Sequence, residues 1–263
     1  MTIVESIVIA VIEGITEFLP VSSTGHMILA SSLMGIHKEE FVKTFEIAIQ
    51  IGAILSVLTI YFKRFLVSFN IYLKLLVAFL PTGVIGFLAY KTIKAYLFNP
   101  FTVSIALIVG GILLILLDKW SAKKESIFKS TDTISYKNAL IIGLIQCFSM
   151  IPGVSRSAAT IFGGIYAGFD RKLAAEFSFL LAIPTMFAAS GYDLLKAGTD
   201  FSQDEWKILF IGLIIAFVSA LIAVKAFITF LNRYGFKYFG YYRIALGIVF
   251  LIIALAKGIE VGG

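Results

Sequence analysis

Twice in this chain, about 130 positions apart, an apolar run stops short at a proline and a cluster of hydroxyl and glycine residues, then resumes for a second short run. The first pair is Thr2–Phe18 and Gly25–Gly35, separated around Pro20; the second is Tyr136–Met150 and Ser157–Gly168, separated by Ile151-Pro-Gly-Val-Ser-Arg156. Each run is shorter than the roughly 20 residues a helix needs to cross a bilayer. Proline removes a backbone donor and blocks helix continuation. A short–break–short pattern therefore predicts a re-entrant helical hairpin whose irregular tip is buried in protein, because unpaired backbone is not tolerated against lipid. The competing layout is one kinked span running through the proline.

The intervening segments read as full crossings: Phe41–Phe62, Tyr72–Tyr90, Phe101–Leu117, Leu173–Asp193, Trp206–Phe227 and Phe239–Ala256. Residues are 59% hydrophobic and 14% charged, against roughly 25% charged in soluble domains. The expected fold class is an all-α polytopic membrane protein. No ten-residue alternation suggests a β-barrel. The formal net charge of +6 is spread through loops without a basic stripe, so it reads as topology signal and lipid contact and not as nucleic-acid binding. The single Cys147 excludes an intrachain disulfide, and the N-terminus lacks the basic region and cleavage site of a removable signal peptide.

Both halves share a plan of one broken hairpin followed by three crossings. Glu13-x-x-Thr16 with Val21-Ser22-Ser23-Thr24 aligns with Gln146-x-x-Ser149 and Val154-Ser155-Arg156-Ser157. A unit with an odd number of crossings must insert its second copy upside down, the inverted-repeat layout in which broken elements meet near the midplane. The expected division is residues 1–118 as the first repeat, 119–135 as a cytoplasmic linker, and 136–263 as the second repeat. Twelve basic residues, among them Lys63, Arg64, Lys119, Lys123, Lys124, Arg171 and Arg243, fall on one side. Seven fall on the other: Lys38, Lys43, Lys91, Lys94, Lys196, Lys207 and Lys257. The richer side is expected to be cytoplasmic, which leaves both termini outside.

Polar groups at membrane depth are functional-site candidates by default. Arg156 with Ser155, Ser157 and Thr160 at a helix start has the makings of a phosphate cradle. The dipole and free N–H groups favour an anion, and a guanidinium can grip two phosphate oxygens. The bland alternative pairs Arg156 with a carboxylate merely to neutralise it. Glu13 and Glu17, four apart, share a helix face. Such a pair suits Mg²⁺ or Ca²⁺ held together with substrate phosphates and water, a proton relay, or an ion pair with Arg156. His26 titrates in the range needed for proton transfer. Glu46 and Gln50 should face inward as support, and Glu176 has Arg171 or Lys172 within reach. An ion-coupled transporter or lipid flippase is the competing functional class, since inverted repeats with midplane charges are found there too.

The stretches Glu13-Gly-Ile-Thr-Glu-Phe-Leu-Pro-Val-Ser-Ser-Thr-Gly-His26 and Pro152-Gly-Val-Ser-Arg-Ser-Ala-Ala-Thr160 resemble the two signature motifs of the undecaprenyl-diphosphate phosphatases, bacterial membrane enzymes also called bacitracin-resistance proteins. The resemblance extends over the whole chain, including Lys43-Thr-Phe-Glu46 and Glu176–Pro184. It implies removal of the terminal phosphate of undecaprenyl diphosphate, regenerating the monophosphate carrier of cell-wall precursors. It also implies a divalent cation, and a site reached from the external face of the bacterial inner membrane. On this reading Glu17, Ser23, His26 and Arg156 are catalytic. Ser22, Thr24, Ser155, Arg156, Ser157 and Thr160 bind the substrate phosphates, and Glu13 and Glu17 hold the metal. Ser22 or Ser23 attacks with His26 handling the proton, and Ser23 is favoured by its position one helical turn before His26. The bland reading of both serines is that they cap the second short helix. The expected partners are the lipid substrate and membrane lipids, with room for a homodimer.

Overall fold

The computed structural model describes residues 1–67, 69–97, 99–122, 125–197 and 201–257. Among these residues the regular structure is helical throughout, with ten α-helices and two 3-10 turns. The first proline break does separate two helices. α1 (Ile3–Thr16) starts at a capping box, in which Thr2 accepts from the Glu5 N–H and the Glu5 carboxylate accepts from the Thr2 N–H. It ends before Pro20, and the chain turns into α2 (Ser23–Leu33). The second break behaves alike. α6 (Tyr136–Gln146) gives way to a 3-10 turn at Cys147–Met150, and α7 (Arg156–Ala167) follows. These helices have 14, 11, 11 and 12 residues. At 1.5 Å per residue they reach about 16–21 Å, well under the ~30 Å hydrocarbon core. Each pair packs against itself, α1 on α2 and α6 on α7, as hairpins and not as kinked spans.

Six further helices are long and apolar enough to cross a membrane: α3 (Glu40–Val67), α4 (Phe69–Tyr96), α5 (Pro100–Ser121), α8 (Arg171–Ala197), α9 (Gln203–Tyr234) and α10 (Lys237–Lys257). The protein is a multi-pass membrane protein. Leu66, Phe87, Leu88, Phe210 and Ile222 are exposed around its outside, where only lipid can match them.

Part of the packing matches under an exchange of the two halves, while α7 on α8 and α1 on α3 have no counterpart of that strength. α1 lies on α9 as α6 lies on α4, and α3 lies on α9 as α4 lies on α8. α3 packs on α8 and α5 on α10, contacts that the exchange maps onto themselves. α5 and α10 approach so closely that a Cβ on Gly111 would stand 2.6 Å from the Gly240 carbonyl oxygen, and the reverse holds for Gly240. Without water to drive association, small residues that admit backbone contact are how membrane helices gain packing energy. The central core is aromatic. Phe18, from the turn after α1, meets Phe179 of α8 edge-on at 5.7 Å, and Phe179 in turn packs on Phe227 of α9.

Loops grouped by the basic-residue count also group in space. At one end Arg64 pairs with Glu176 at 3.2 Å and Arg171 with Asp118 at 2.7 Å, while Asp118 also accepts the Phe236 N–H. The linker docks there through Ile127 N–H to the Gly168 carbonyl. At the opposite end the Met1 ammonium pairs with Glu39, and Phe41, Phe201 and Trp206 form an aromatic cluster. Glu176 thus pairs with Arg64, and not with Arg171 or Lys172, because Arg171 is engaged by Asp118. Lys123 and Lys124 lie outside the described residues, as do the side chains of Lys91, Lys94 and Lys257. Arg243 does not belong to the loop count. It sits inside α10 with 0% exposure.

Candidate active site

The two hairpin tips meet inside the helix bundle. Ser22 and Ser155 occupy equivalent places in the two tips, and each adopts a left-handed backbone, with φ of +71° and +77°. Each caps the helix that follows. Ser22 Oγ accepts from the Gly25 N–H at 3.4 Å and Ser155 Oγ from the Ala158 N–H at 3.2 Å. Both caps orient a helix N-terminus, with its unsatisfied N–H groups and partial positive charge, toward the place where the tips converge. Only Ser22 caps α2. Ser23 is the first residue of that helix, and its hydroxyl is used elsewhere.

Ser23 Oγ donates to Glu17 Oε2 at 2.5 Å. The other oxygen, Glu17 Oε1, accepts from Arg156 Nη2 at 3.0 Å. One carboxylate therefore bridges a hydroxyl of the first tip and a guanidinium of the second, with all three side chains largely buried. Arg156 is fixed from two more directions. Its Nη1 donates to the Ser178 carbonyl at 2.9 Å, and its Cζ lies 5.6 Å from the centre of the Phe18 ring. Its Nε is buried and has no hydrogen-bond partner among the described residues. Buried polar groups are nearly always paired, so an orphaned guanidinium N–H is an available donor at this position.

The remaining hydroxyls divide into two groups. Ser157 Oγ donates to the Phe18 carbonyl at 2.7 Å, tying tip to tip. Thr160 Oγ1 donates to the Arg156 carbonyl at 2.9 Å and lies 2.6 Å from Ser178 Oγ. Both residues are fully buried, and their hydroxyl protons are committed to these partners. Ser22 and Ser155 keep hydroxyl protons free of their caps. Thr24 is half-buried and stands outside this network.

His26 is placed differently from the expectation. Its Nδ1 lies 2.8 Å from the Ser22 carbonyl, an acceptor only, so Nδ1 carries the proton and donates. In the neutral ring Nε2 is then the acceptor, and the Tyr242 hydroxyl stands 2.6 Å from it, with the two rings stacked at 5.6 Å. Both ring nitrogens are thus occupied, and neither faces Ser23. The group holding the Ser23 proton in this geometry is Glu17.

Glu13 lies one turn before Glu17, within the electrostatic field of Glu17, Glu46 and Arg156. It is fully buried, and neither carboxylate oxygen has a hydrogen-bond partner among the described residues; the same is true of Glu46 Oε1. Orphaned buried carboxylate oxygens beside the Ser23–Glu17–Arg156 chain fit a hard divalent cation, which favours oxygen ligands. Among the described residues no three of His, Cys, Asp and Glu converge to hold a metal by themselves. A cation here would complete its shell with substrate phosphates and water, as Mg²⁺ commonly does. Gln50 is not part of this cluster. Its side-chain oxygen accepts from Ser190 at 2.9 Å and joins α3 to α8.

Two residues of α10 complete the site without having been singled out from the sequence. Tyr242 is one of 11 tyrosines in the chain, and nothing in its spacing sets it apart. Arg243 carried a usable signal, since it falls inside the Phe239–Ala256 run, where a basic residue is a functional candidate by default.

The profile of the family described as "Bacitracin resistance protein BacA" matches residues 6–249. The chain is similar to the undecaprenyl-diphosphatase of Wolinella succinogenes, 53% identical over 251 residues that cover 95% of this chain and 98% of that one. It is 53% identical over 256 residues to the undecaprenyl-diphosphatase of Flavobacterium johnsoniae, covering 96% of each. With that of Aquifex aeolicus it shares 49% identity over 251 residues, covering 95% and 98%.

Proposed function

The chain belongs to the bacitracin resistance protein BacA family, and from that premise we propose how its site hydrolyses undecaprenyl diphosphate to undecaprenyl phosphate and inorganic phosphate. The observation that carries this reading is the Ser23–Glu17–Arg156 chain at the junction of the two hairpin tips. It joins a hydroxyl, a proton acceptor and a guanidinium through the two oxygens of one carboxylate, beside the N-termini of α2 and α7. A transporter would need no such hydroxyl, and the relatives are named for the phosphatase reaction.

In the proposed reaction the diphosphate enters between the tips. Arg156 turns its free Nε and an Nη toward phosphate oxygens, and Ser22, Ser155 and the N–H groups of α2 and α7 add donors. Ser23 Oγ attacks the terminal phosphorus and its proton passes to Glu17. The anhydride P–O bond breaks, and undecaprenyl phosphate leaves with the bridging oxygen. Glu17 hands the serine proton to the departing phosphate and is a carboxylate again. It then takes a proton from water, whose oxygen attacks the phosphoserine phosphorus. The Ser23 Oγ–P bond breaks, Oγ takes the proton back from Glu17, and inorganic phosphate leaves. His26, with Nδ1 held by the Ser22 carbonyl, borders the site and takes part in proton transfer only when Nε2 exchanges the Tyr242 hydroxyl for a substrate oxygen. Mg²⁺ or Ca²⁺, held by Glu13 and Glu17, would supply charge neutralisation at the diphosphate. Ser157 and Thr160 support the reaction through Arg156 and the Phe18 carbonyl.

The finer setting follows from charge. With Arg243 set aside, eleven basic residues remain on the linker side against seven on the other. We read the linker end as cytoplasmic, residues 1–118 and 136–263 as the two inverted repeats, and the membrane as the bacterial inner membrane. The opening of the first hairpin then faces outward. A homodimer is compatible with this arrangement.

The test is phosphate release from undecaprenyl diphosphate by detergent-purified protein, in which no gradient or sidedness exists. Release that stops in excess chelator and returns with Mg²⁺ or Ca²⁺ supports both the reaction and the cation. Absence of release under either condition would overturn the reading.

A further inference from the structure

Arg243 is the largest fully buried side chain with a charge, and no carboxylate pairs with it among the described residues. A guanidinium has five N–H donors. All five are used, and every acceptor is a main-chain carbonyl. Nε donates to Leu107 at 3.4 Å, and Nη2 donates to Ala106 at 3.1 Å and to Gly153 at 2.8 Å. Nη1 donates to Pro20 at 3.1 Å and to Val154 at 2.9 Å. The side chain thus joins three elements, α5, the first hairpin tip and the second.

The carbonyls it holds are not arbitrary. Pro20 lies two residues before Ser22, and Gly153 and Val154 lie two and one before Ser155. Ser22 and Ser155 are the non-glycine residues with positive φ among those described. A left-handed backbone is costly for a residue with a Cβ and persists only where the surroundings over-determine it. Directly after each of these serines stands a residue of the site, Ser23 in one tip and Arg156 in the other. One cation therefore sets the direction in which both reacting tips point, with α5 as its base. Gly110 of α5 leaves the space the guanidinium fills, for a Cβ there would collide with it.

We propose that Arg243 is a positioning residue for phosphate transfer, a clamp that fixes the separation of the Ser23 tip from the Arg156 tip without touching substrate. In its kinetic part the proposal rests on the phosphatase reading given above. A burying role alone would predict lower stability with normal turnover in whatever protein folds. A clamp predicts folded protein that binds substrate and turns over poorly, because displacing reacting groups by about 1 Å costs on the order of 100-fold.

The experiment compares wild type, Arg243→Lys and Gly110→Ala in detergent, measuring kcat and KM per folded molecule together with hydrogen–deuterium exchange. An ammonium offers three donors in place of five. Gly110→Ala leaves the arginine present but crowded, and carries the comparison alone if Arg243→Lys does not fold. The expected result is a kcat lower by about 100-fold in Arg243→Lys and about tenfold in Gly110→Ala. KM should stay within about threefold of wild type, since Arg243 does not contact substrate. Peptides covering residues 17–24 and 151–157 should both exchange faster, with the rest of α5 and α10 unchanged. Wild-type kcat per folded molecule, or faster exchange in only one tip, would overturn the clamp. If wild type itself released no phosphate the phosphatase reading would fall, while exchange at the two tips would still decide whether Arg243 holds them.

Discussion

Glu17→Gln separates the two jobs that this carboxylate performs. Its Oε1 accepts from Arg156 at 3.0 Å and its Oε2 accepts from Ser23 at 2.5 Å. A glutamine has one oxygen and one NH₂ in the same places. The carbonyl oxygen stays with the guanidinium, which can only donate, so the NH₂ is turned toward Ser23. Ser23 then receives a hydrogen bond where it had given one, and its proton has no acceptor. Loss of a positioned base typically lowers turnover by about 10²–10⁴. Breaking a buried ion pair by removing one charge costs about 3–5 kcal/mol. The low end, about 3 kcal/mol, is expected here because one hydrogen bond to Arg156 survives. Thermal unfolding of the purified variant and phosphate release from undecaprenyl diphosphate measure the two effects separately. A well-folded Glu17→Gln protein with turnover near wild type would refute the assignment of Glu17 as the acceptor of the Ser23 proton.

Arg156→Lys should fold yet lose most activity, because an ammonium cannot hold the Ser178 carbonyl and Glu17 while offering a planar fork to phosphate. Phosphate release at wild-type rate by that variant would reduce Arg156 to charge neutralisation. A cysteine introduced at Ser126 in a Cys147→Ser background should resist impermeant external thiol reagents and react after the membrane is opened. External labelling would reverse the topology.

The hairpins were legible because a proline flanked by two sub-membrane-length apolar runs has few other solutions in lipid. The meeting of the tips was legible from the matched spacing of Glu13–Thr24 and Gln146–Ser157. What the sequence did not reveal is direction. Ser23 and His26 share a helix face at i and i+3, but the imidazole is captured by the carbonyl of Ser22, four residues back, and by Tyr242 from α10. Glu17 reaches Ser23 only because the chain folds back at Pro20, a feature that helical spacing does not express. Arg243 was counted with the loop cations because it stands a few residues inside a span end. Its acceptors are carbonyls, which leave no mark in side-chain patterns. Ser157 and Thr160 matched a phosphate cradle by type, and nothing in the sequence marks the Phe18 carbonyl, the Arg156 carbonyl and Ser178 as the partners their hydroxyls meet.

Turnover of Ser23→Ala beside Ser22→Ala tests the central claim most directly. Ser22 is the cap of α2, so Ser22→Ala should lose about 1 kcal/mol of stability and keep measurable turnover. Ser23 is not the cap, and Ser23→Ala should fold as wild type does but release no phosphate above background. A folded Ser23→Ala protein that hydrolyses undecaprenyl diphosphate at near wild-type rate would contradict the serine mechanism and leave water as the attacking group.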